Sequence, residues 1–128
     1  MAFFRVVCSV LVAIAVISCA AVTQQSAMRT KTNYDDVWRA SLAAVVDIGY
    51  AVSSTDSNAG LIVAEQAVVG GGGKVSRLNI AVNRAGDTNE VRVSWIRPPG
   101  TLGGGGTEKR YVDALQKRIP DIQVIEAK

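Results

Sequence analysis

The sequence predicts an α+β two-layer sandwich in the order α-β-β-β-β-α, with a four-stranded antiparallel sheet and two helices on one face. Two segments, 33–49 and 108–119, carry apolar residues at helical spacings of three and four. Between them lie four segments that suit strands, joined by connections short enough for antiparallel hairpins. Helices on either side of such a run of strands bury their apolar stripes against the sheet.

The first helix is predicted over residues 33–49. Asn33 or Thr32 can cap its N-terminus, and Asp35 and Asp36 lie in the first turn, where the helix dipole favours negative charge. Gly49 suits the left-handed position that follows a helix. The predicted apolar stripe comprises Tyr34, Val37, Trp38, Leu42, Val45 and Ile48.

The four strands are predicted at 50–54, 61–69, 75–83 and 90–97. The second has an ambiguous register, because its first three residues are all apolar, whereas the third and fourth alternate clearly. Their core-facing residues are predicted to be Leu78, Ile80, Val82, Val91, Val93 and Trp95. The opposite face would present Arg77, Asn79, Asn83, Arg92 and Ser94 to solvent.

The second helix is predicted over residues 108–119, with Thr107 as its cap. Tyr111, Leu115 and Ile119 form an apolar stripe at four-residue spacing, and Pro120 ends the helix. Residues 122–125 either add a final strand or pack as a tail.

The first 18 residues are predicted to be a signal peptide. Arg5 precedes an apolar run of about a dozen residues, which is too short to span a bilayer. The sequence Val16-Ile17-Ser18-Cys19 then resembles the lipobox of bacterial lipoproteins. The resemblance implies cleavage before Cys19, a diacylglycerol on its sulfur and an acylated amine. The alternative is ordinary cleavage after Ala20, which would release a soluble protein.

The lipobox resemblance also implies a location. Ala20 follows the cysteine, where Asp retains many Gram-negative lipoproteins in the inner membrane. The implied site is therefore the periplasmic face of the outer membrane. Residues 19–32 are predicted to be the lipidated cysteine and a flexible polar tether, and 33–128 a single periplasmic domain. The tether would span at most about 40 Å when extended.

A second resemblance covers residues 34–65. The pattern resembles the opening of small envelope lipoproteins with a BamC-like helix-grip fold, many of unknown function. It implies a fold and an envelope role but no catalytic residue. The residues that carry it are Tyr34, Val37, Trp38, Gly49, Tyr50, Asp56, Gly60, Leu61 and Ile62.

The composition argues against catalysis and against nucleic-acid binding. The chain has no histidine, and its two cysteines are Cys8, which leaves with the signal, and Cys19, which would be acylated. The usual general base and the thiol nucleophile are therefore missing, and no acidic residues have metal-ligand spacing. No Lys/Arg run exceeds two residues, so a nucleic-acid footprint is absent from the sequence. We expect no enzyme activity, no cofactor and no metal.

Two glycine runs, 70–73 and 103–106, lack the Gly-Lys-Ser/Thr ending of a phosphate loop. They are predicted to be connecting loops, with ordering on a partner as the alternative. Trp38 is predicted to belong to the core, while Trp95 is balanced between the core and an interface. The candidate partner-binding residues are Trp95, Arg97, Leu102, Arg77 and Arg92.

The sequence therefore predicts a lipid-anchored, non-catalytic accessory module that binds envelope proteins. Four arginines would form either an ordinary solvated face or a basic patch for anionic headgroups or an acidic partner: Arg77, Arg84, Arg92 and Arg97. One alternative function is a carrier of an amphipathic small molecule between helix and sheet. The least favoured is a carboxylate-dependent hydrolase that uses residues such as Asp56 and Glu65.

Overall fold

A computed structural model of the chain describes residues 22–68, 72–98 and 106–127. The signal peptide, Cys19 and Leu102 therefore lie outside the described residues. Within the described residues, two helices and six strands form an antiparallel α+β arrangement with sheet order β2-β3-β4-β5-β1-β6. The α+β class and the two helices are confirmed, but the predicted count of four strands is wrong. The elements are β1 (Val22–Thr30), α1 (Tyr34–Asp47), β2 (Ala51–Asp56), β3 (Leu61–Ala67), β4 (Val75–Ala85), β5 (Thr88–Arg97), α2 (Thr107–Arg118) and β6 (Gln123–Ala127).

Strand β1 replaces most of the predicted tether. It lies inside the sheet, paired with β5 on one side and with β6 on the other. Met28 is fully buried, and the polar residues Ser26 and Thr30 are also buried. The prediction of a flexible tether is wrong. Although most residues of β1 are polar, backbone pairing with β5 and β6 keeps this segment in the sheet. Residues 22–30 therefore belong to the folded sheet, although the sequence predicted them to precede the domain.

Of the two alternatives predicted for residues 122–125, a final strand is confirmed and a packed tail is wrong. Strand β6 pairs with β1 from Ser26 to Arg29, with a register shift after Ala27. The carboxylate of Asp121, in the turn before β6, bonds to the end of β1 and the turn that follows it. It accepts hydrogen bonds from the Thr30 and Thr32 hydroxyls at 2.9 Å and from the Lys31 N–H at 3.2 Å. These bonds lower the pKa of Asp121, the Thr30 hydroxyl contributing most.

Helix α1 begins as the sequence predicts. The Asn33 side chain accepts a hydrogen bond from the Asp36 N–H at 3.0 Å, so one of the free amide groups of the first turn is satisfied. At the other end Gly49 has a φ of 84°, the left-handed conformation that glycine adopts without strain. Both predicted ends of this helix are confirmed to within two residues.

Helix α2 begins differently from the prediction. Gly106, not Thr107, occupies the N-cap position, and no side chain caps the helix. Thr107 is instead the first helical residue, 3% exposed. The predicted stripe is confirmed, because Tyr111 and Leu115 are fully buried and Ile119 is 3% exposed.

The alternation predicted for β4 and β5 is confirmed. Leu78 pairs with Trp95, Ile80 with Val93 and Val82 with Val91, and all six are at most 2% exposed. The ambiguous register of β3 is also resolved: Ile62 and Ala64 are fully buried, while Leu61 is about half exposed. Residues of both helices belong to the same hydrophobic cluster as these strand positions, among them Val37, Ala44, Val45, Tyr111, Val112 and Leu115.

Three buried side chains, Trp95, Tyr50 and Ser76, are joined by hydrogen bonds. The Trp95 indole N–H donates to the Tyr50 hydroxyl oxygen at 3.1 Å, and that hydroxyl lies 2.8 Å from the Ser76 hydroxyl. Elsewhere the Tyr111 hydroxyl donates to the Ser41 carbonyl at 3.2 Å. Burial of Tyr111 raises the pKa of its hydroxyl, so this group remains a neutral donor.

The two helices are also joined at their C-terminal ends. Arg118 donates two hydrogen bonds to the Asp47 carboxylate, at 2.7 and 2.9 Å. This fork lowers the pKa of Asp47. No helix within residues 22–68, 72–98 and 106–127 is long and apolar enough to cross a membrane.

Candidate binding surfaces

The structure does not bring the predicted partner-binding residues together. Arg77 and Arg92 lie on one face of the sheet, whereas Trp95 and Arg97 alternate to the other. Leu102 is outside the described residues. The predicted single patch is therefore divided between two faces.

Trp95 is not available to a partner. Its side chain is 2% exposed, and its indole N–H is already bonded to Tyr50. The interface interpretation of this residue is wrong, because its place opposite Leu78 puts it in the core. Trp38 is partly buried against the same core and stacks on Tyr34, with ring centroids 6.5 Å apart.

The face that carries Arg77 and Arg92 is polar and internally paired. We call it the polar face: it comprises the β1, β3, β4 and β5 positions that alternate with the core positions. On it, Arg29 and Arg92 both bond to the Glu90 carboxylate, at 3.3 and 2.5 Å, and Arg77 bonds to Glu65 at 3.1 Å. Because both side chains of the Arg77–Glu65 pair are partly exposed, that pair adds little stability.

These ion pairs change the interpretation of the arginines. Glu90 lies between two of them, and Glu65 partners a third, so much of the positive charge on the polar face is offset locally. Arg84, also considered in the sequence as part of a basic patch, instead lies over the Tyr34 ring, 4.8 Å from its centroid. A concentrated basic patch on this face is therefore not formed.

Strand β2 is exposed along its whole length. It lies at one edge, and all six of its residues are exposed, in contrast to the alternation in β3, β4 and β5. Its pairing with β3 shifts between Val52 and Ser54, and the intervening Ser53 hydroxyl donates to the Val63 carbonyl at 3.1 Å. The sequence predicted the strand but not its place at the edge. The available signal was the short run Ala-Val-Ser-Ser-Thr, which has no alternating large apolar residues.

The two ends of the sheet differ in charge. The strand pairings place Thr23, Ile96, Arg77, Glu65 and Ala51 in one row near one end. We call this the basic end, because Arg97 ends β5 there and Lys74 precedes β4 there. Both glycine runs belong to connections that leave the sheet at this end.

The opposite end, which we call the acidic end, carries acidic residues in its turns. Asp56 precedes the β2–β3 turn, Asp87 lies in the β4–β5 turn, and Asp35 and Asp36 open α1 beside these turns. The start of α1 lies next to the β2–β3 turn, where the Tyr34 hydroxyl is 3.4 Å from the Ser57 carbonyl. Glu90 and Asp121 also lie at this end, so its acidic groups outnumber its basic groups, which are Arg29, Lys31 and Arg84.

The carboxylates proposed for hydrolysis do not converge. Asp56 pairs with Leu61 and Glu65 with Ala51, so the two lie at opposite ends of the β2–β3 hairpin, about 13 Å apart along β3. Asp56 accepts the Asn58 and Ala59 N–H groups at 3.1 and 3.0 Å, which is a turn contact. Within the described residues, no group of three or more Cys, Asp or Glu side chains could hold a metal ion.

Two wide depressions lie on the surface of the described residues. One, of about 350 Å³, runs between α2 and β6 and combines Val112 and Val124 with polar neighbours. Partial burial raises the pKa of Glu108 in this groove. The other, of about 430 Å³, lies at the acidic end beside Tyr34 and Arg84. Neither is the enclosed apolar pocket between helix and sheet that the carrier hypothesis requires.

Comparison with known proteins finds a solved structure with a similar fold, but no matching family. No family model matches the chain, and no curated protein matches it. Among solved structures, it is similar to the adenylate sensor from AMP-activated protein kinase, determined in complex with 5-aminoimidazole-4-carboxamide ribofuranotide. The TM-score is 0.54 at 10% identity, over 68% of this chain and 92% of that chain. At such low identity the likeness shows a common fold alone.

Two further structures are similar at lower scores. A protein from Thermus thermophilus has a TM-score of 0.42 at 11% identity, covering 77% of this chain and 97% of that chain. A protein from Cytophaga hutchinsonii has a TM-score of 0.37 at 13% identity, covering 75% and 88% respectively.

Proposed function

We propose that the protein is a lipid-anchored, non-catalytic module of the cell envelope that binds a protein partner by strand addition to β2. The observation that carries the binding part is the exposure of all six β2 residues at a sheet edge. An edge strand presents a row of backbone N–H and C=O groups directed away from the sheet. An extended segment of a partner can pair with that row.

The side chains of β2 support this mode of binding. Residues 51–55 are small or β-branched and uncharged, so no Lys or Glu obstructs an incoming strand. Natural edges are commonly protected by such charges, by proline or by a bulge, and β2 has only the bulge near Ser53. Each backbone hydrogen bond to a partner would contribute a net of about 1 kcal/mol. Several together suit an accessory interaction of moderate affinity.

The lipid anchor in this proposal rests on the lipobox resemblance at Cys19. Two or more acyl chains hold a protein on a membrane far more firmly than one chain does. The proposal places the domain on the periplasmic face of the outer membrane, where its partners are other envelope proteins.

We also propose that the helices and the sheet form two layers. Residues of both helices share one cluster with the alternate strand positions, and this supports helices on one face with the polar face left open. The open face would then lie next to β2 and could contact the flanks of a bound strand. The ion pairs at Glu65 and Glu90 would remain at its surface.

Site-specific photocrosslinking in cells tests the binding mode. A photoreactive residue at Val52, in β2, is compared with one at Gln116, an exposed residue of α2. We expect a discrete adduct with one envelope protein from position 52 only, joined through an extended segment of that protein. Ser54→Lys, which puts a charge on the edge, should abolish the adduct, whereas Gln116→Lys should leave it unchanged. Equal adducts from both positions, or an adduct indifferent to Ser54→Lys, would contradict strand addition.

A further inference from the structure

We infer that the basic end of the sheet rests on the anionic phospholipid headgroups of the bilayer that holds the anchor. This inference rests on the proposed lipidation of Cys19 and concerns how the domain is oriented once anchored. It follows from the position of β1. Only Ala20 and Ala21 separate Cys19 from the first residue of that strand.

The reach of this connection is short. Three Cα-to-Cα steps join Cys19 to Val22, so they span at most about 11 Å. Val22 pairs with Arg97, the last residue of β5, at the basic end. The end of the sheet nearest the anchor is therefore held within roughly one Debye length of the headgroups, about 8 to 10 Å at ordinary ionic strength.

The same end carries the charges that suit an anionic surface. Arg97 is directly opposite Val22, and Arg77 is opposite Ile96, which in turn pairs with Thr23. Lys74 lies just before β4 at this end. Glu65 offsets one positive charge by its bond to Arg77. Basic groups therefore predominate where the chain meets the membrane.

The acidic end reinforces the same orientation. Asp35, Asp36, Asp56 and Asp87 lie in turns at the far end of the strands. An anionic surface attracts basic segments within a Debye length and repels acidic ones. A domain with opposite charges at its two ends is therefore oriented by the membrane field as well as by the short connection. In this orientation the strands are steeply inclined to the membrane, and the β2 edge stays open along its length.

Depth-dependent fluorescence quenching tests the orientation. In the acylated mature chain an introduced cysteine would be the only free thiol, so a fluorophore can be attached at Val75→Cys, near the basic end, or at Asn58→Cys, in the β2–β3 turn. Each protein is reconstituted in phosphatidylethanolamine–phosphatidylglycerol vesicles that contain a brominated lipid. We expect several-fold stronger quenching at position 75 than at position 58.

Reversing the charge of residues at the basic end distinguishes the effect of the lipid charge from that of the short connection between Cys19 and Val22. Lys74→Glu with Arg97→Glu should reduce the difference in quenching between the two positions. The matched control, Lys31→Glu with Arg39→Glu, changes the net charge equally at exposed positions near the acidic end and should preserve or enlarge the difference. Replacing phosphatidylglycerol by phosphatidylcholine should act like the first pair of substitutions. Circular dichroism verifies that each variant is folded.

Two results would overturn the inference while leaving the anchor in place. One is equal quenching at positions 75 and 58 in protein that floats with the vesicles. The other is a difference in quenching that survives both the charge reversal and the removal of phosphatidylglycerol, since the connection alone would then set the orientation. Failure of the purified mature protein to float with vesicles would instead overturn the anchor, and the inference with it.

Discussion

The indole N–H of Trp95 donates a hydrogen bond to the hydroxyl of Tyr50, joining β5 to the residue that precedes β2. The two residues are 45 positions apart in the sequence. Their contact ties the start of the edge strand to the centre of the sheet. The exposed strand β2 is therefore attached at its base to a rigid, buried group, although the strand itself is open to solvent.

Removal of the Tyr50 hydroxyl should destabilise the protein. Tyr50→Phe leaves the buried Trp95 N–H without its acceptor and Ser76 without one partner, at an expected cost of about 1 to 3 kcal/mol in the free energy of unfolding. Tyr34→Phe is the control, because the Tyr34 hydroxyl makes a long, exposed contact of 3.4 Å. Urea denaturation measures both. Equal losses would show that the Tyr50 network contributes nothing specific.

Gly60 should tolerate no side chain. It has a φ of 72°, and a Cβ there would overlap the carbonyl oxygen of Val82. The Gly60 carbonyl also accepts the Val82 N–H at 2.7 Å, so the two backbones are fixed close together. Gly60→Ala should therefore cost clearly more stability than Gly86→Ala, which has a φ of 66° but open space around it. The control variant should lose only about 1 to 2 kcal/mol from the left-handed backbone. Similar midpoints of thermal unfolding for the two variants would contradict the close approach at Gly60.

Met28 tests whether β1 belongs to the folded domain. Its side chain is fully buried, so Met28→Ala should lower the free energy of unfolding by about 2 to 5 kcal/mol. Gln25→Ala, at an exposed position of the same strand, should change it little. Were residues 22–30 a flexible tether, both variants would unfold like the wild type in a urea titration.

Asp121 should make stability depend on pH in the acid range. Its pKa is lower in the folded protein than in the unfolded chain, so its contribution is fully present above the unfolded value of about 3.9. The contribution is lost as the pH falls through the folded value. Asp121→Asn should therefore be less stable than wild type at neutral pH, and the difference should shrink on acidification. A difference that stays constant across that range in urea titrations would mean that the carboxylate charge is not what holds the two turns.

The helices and strands were predictable where the residues of a single element carry the pattern. In β4 and β5, apolar and polar residues alternate at nearly every position, and in α1 the cap, the acidic first turn and Gly49 agree. Strand β1 was not predictable in this way. Ser26 and Thr30 are polar but buried, and their environment is supplied by β5 and by the turn at Asp121, far along the chain.

The candidate sites were less predictable than the fold, for the same physical reason. Trp95 is a common kind of interface residue, and only its pairing with Leu78 shows that it faces the core. The partners of Arg77 and Arg92 are set by cross-strand register and by alternation along β5, so their charge balance was not visible in the sequence. The edge position of β2 depends on the order of strands in the sheet, which no short motif encodes.

The most direct test of the central proposal is the intact mass of the mature protein extracted from membranes, with Cys19→Ala measured beside it. We predict a chain that starts at Cys19 and carries a diacylglycerol and an added acyl group, with both the modification and the membrane association lost in the variant. A soluble, unmodified chain that starts near Ala21 in both proteins would contradict the account, because neither the envelope anchor nor the orientation derived from it would then exist.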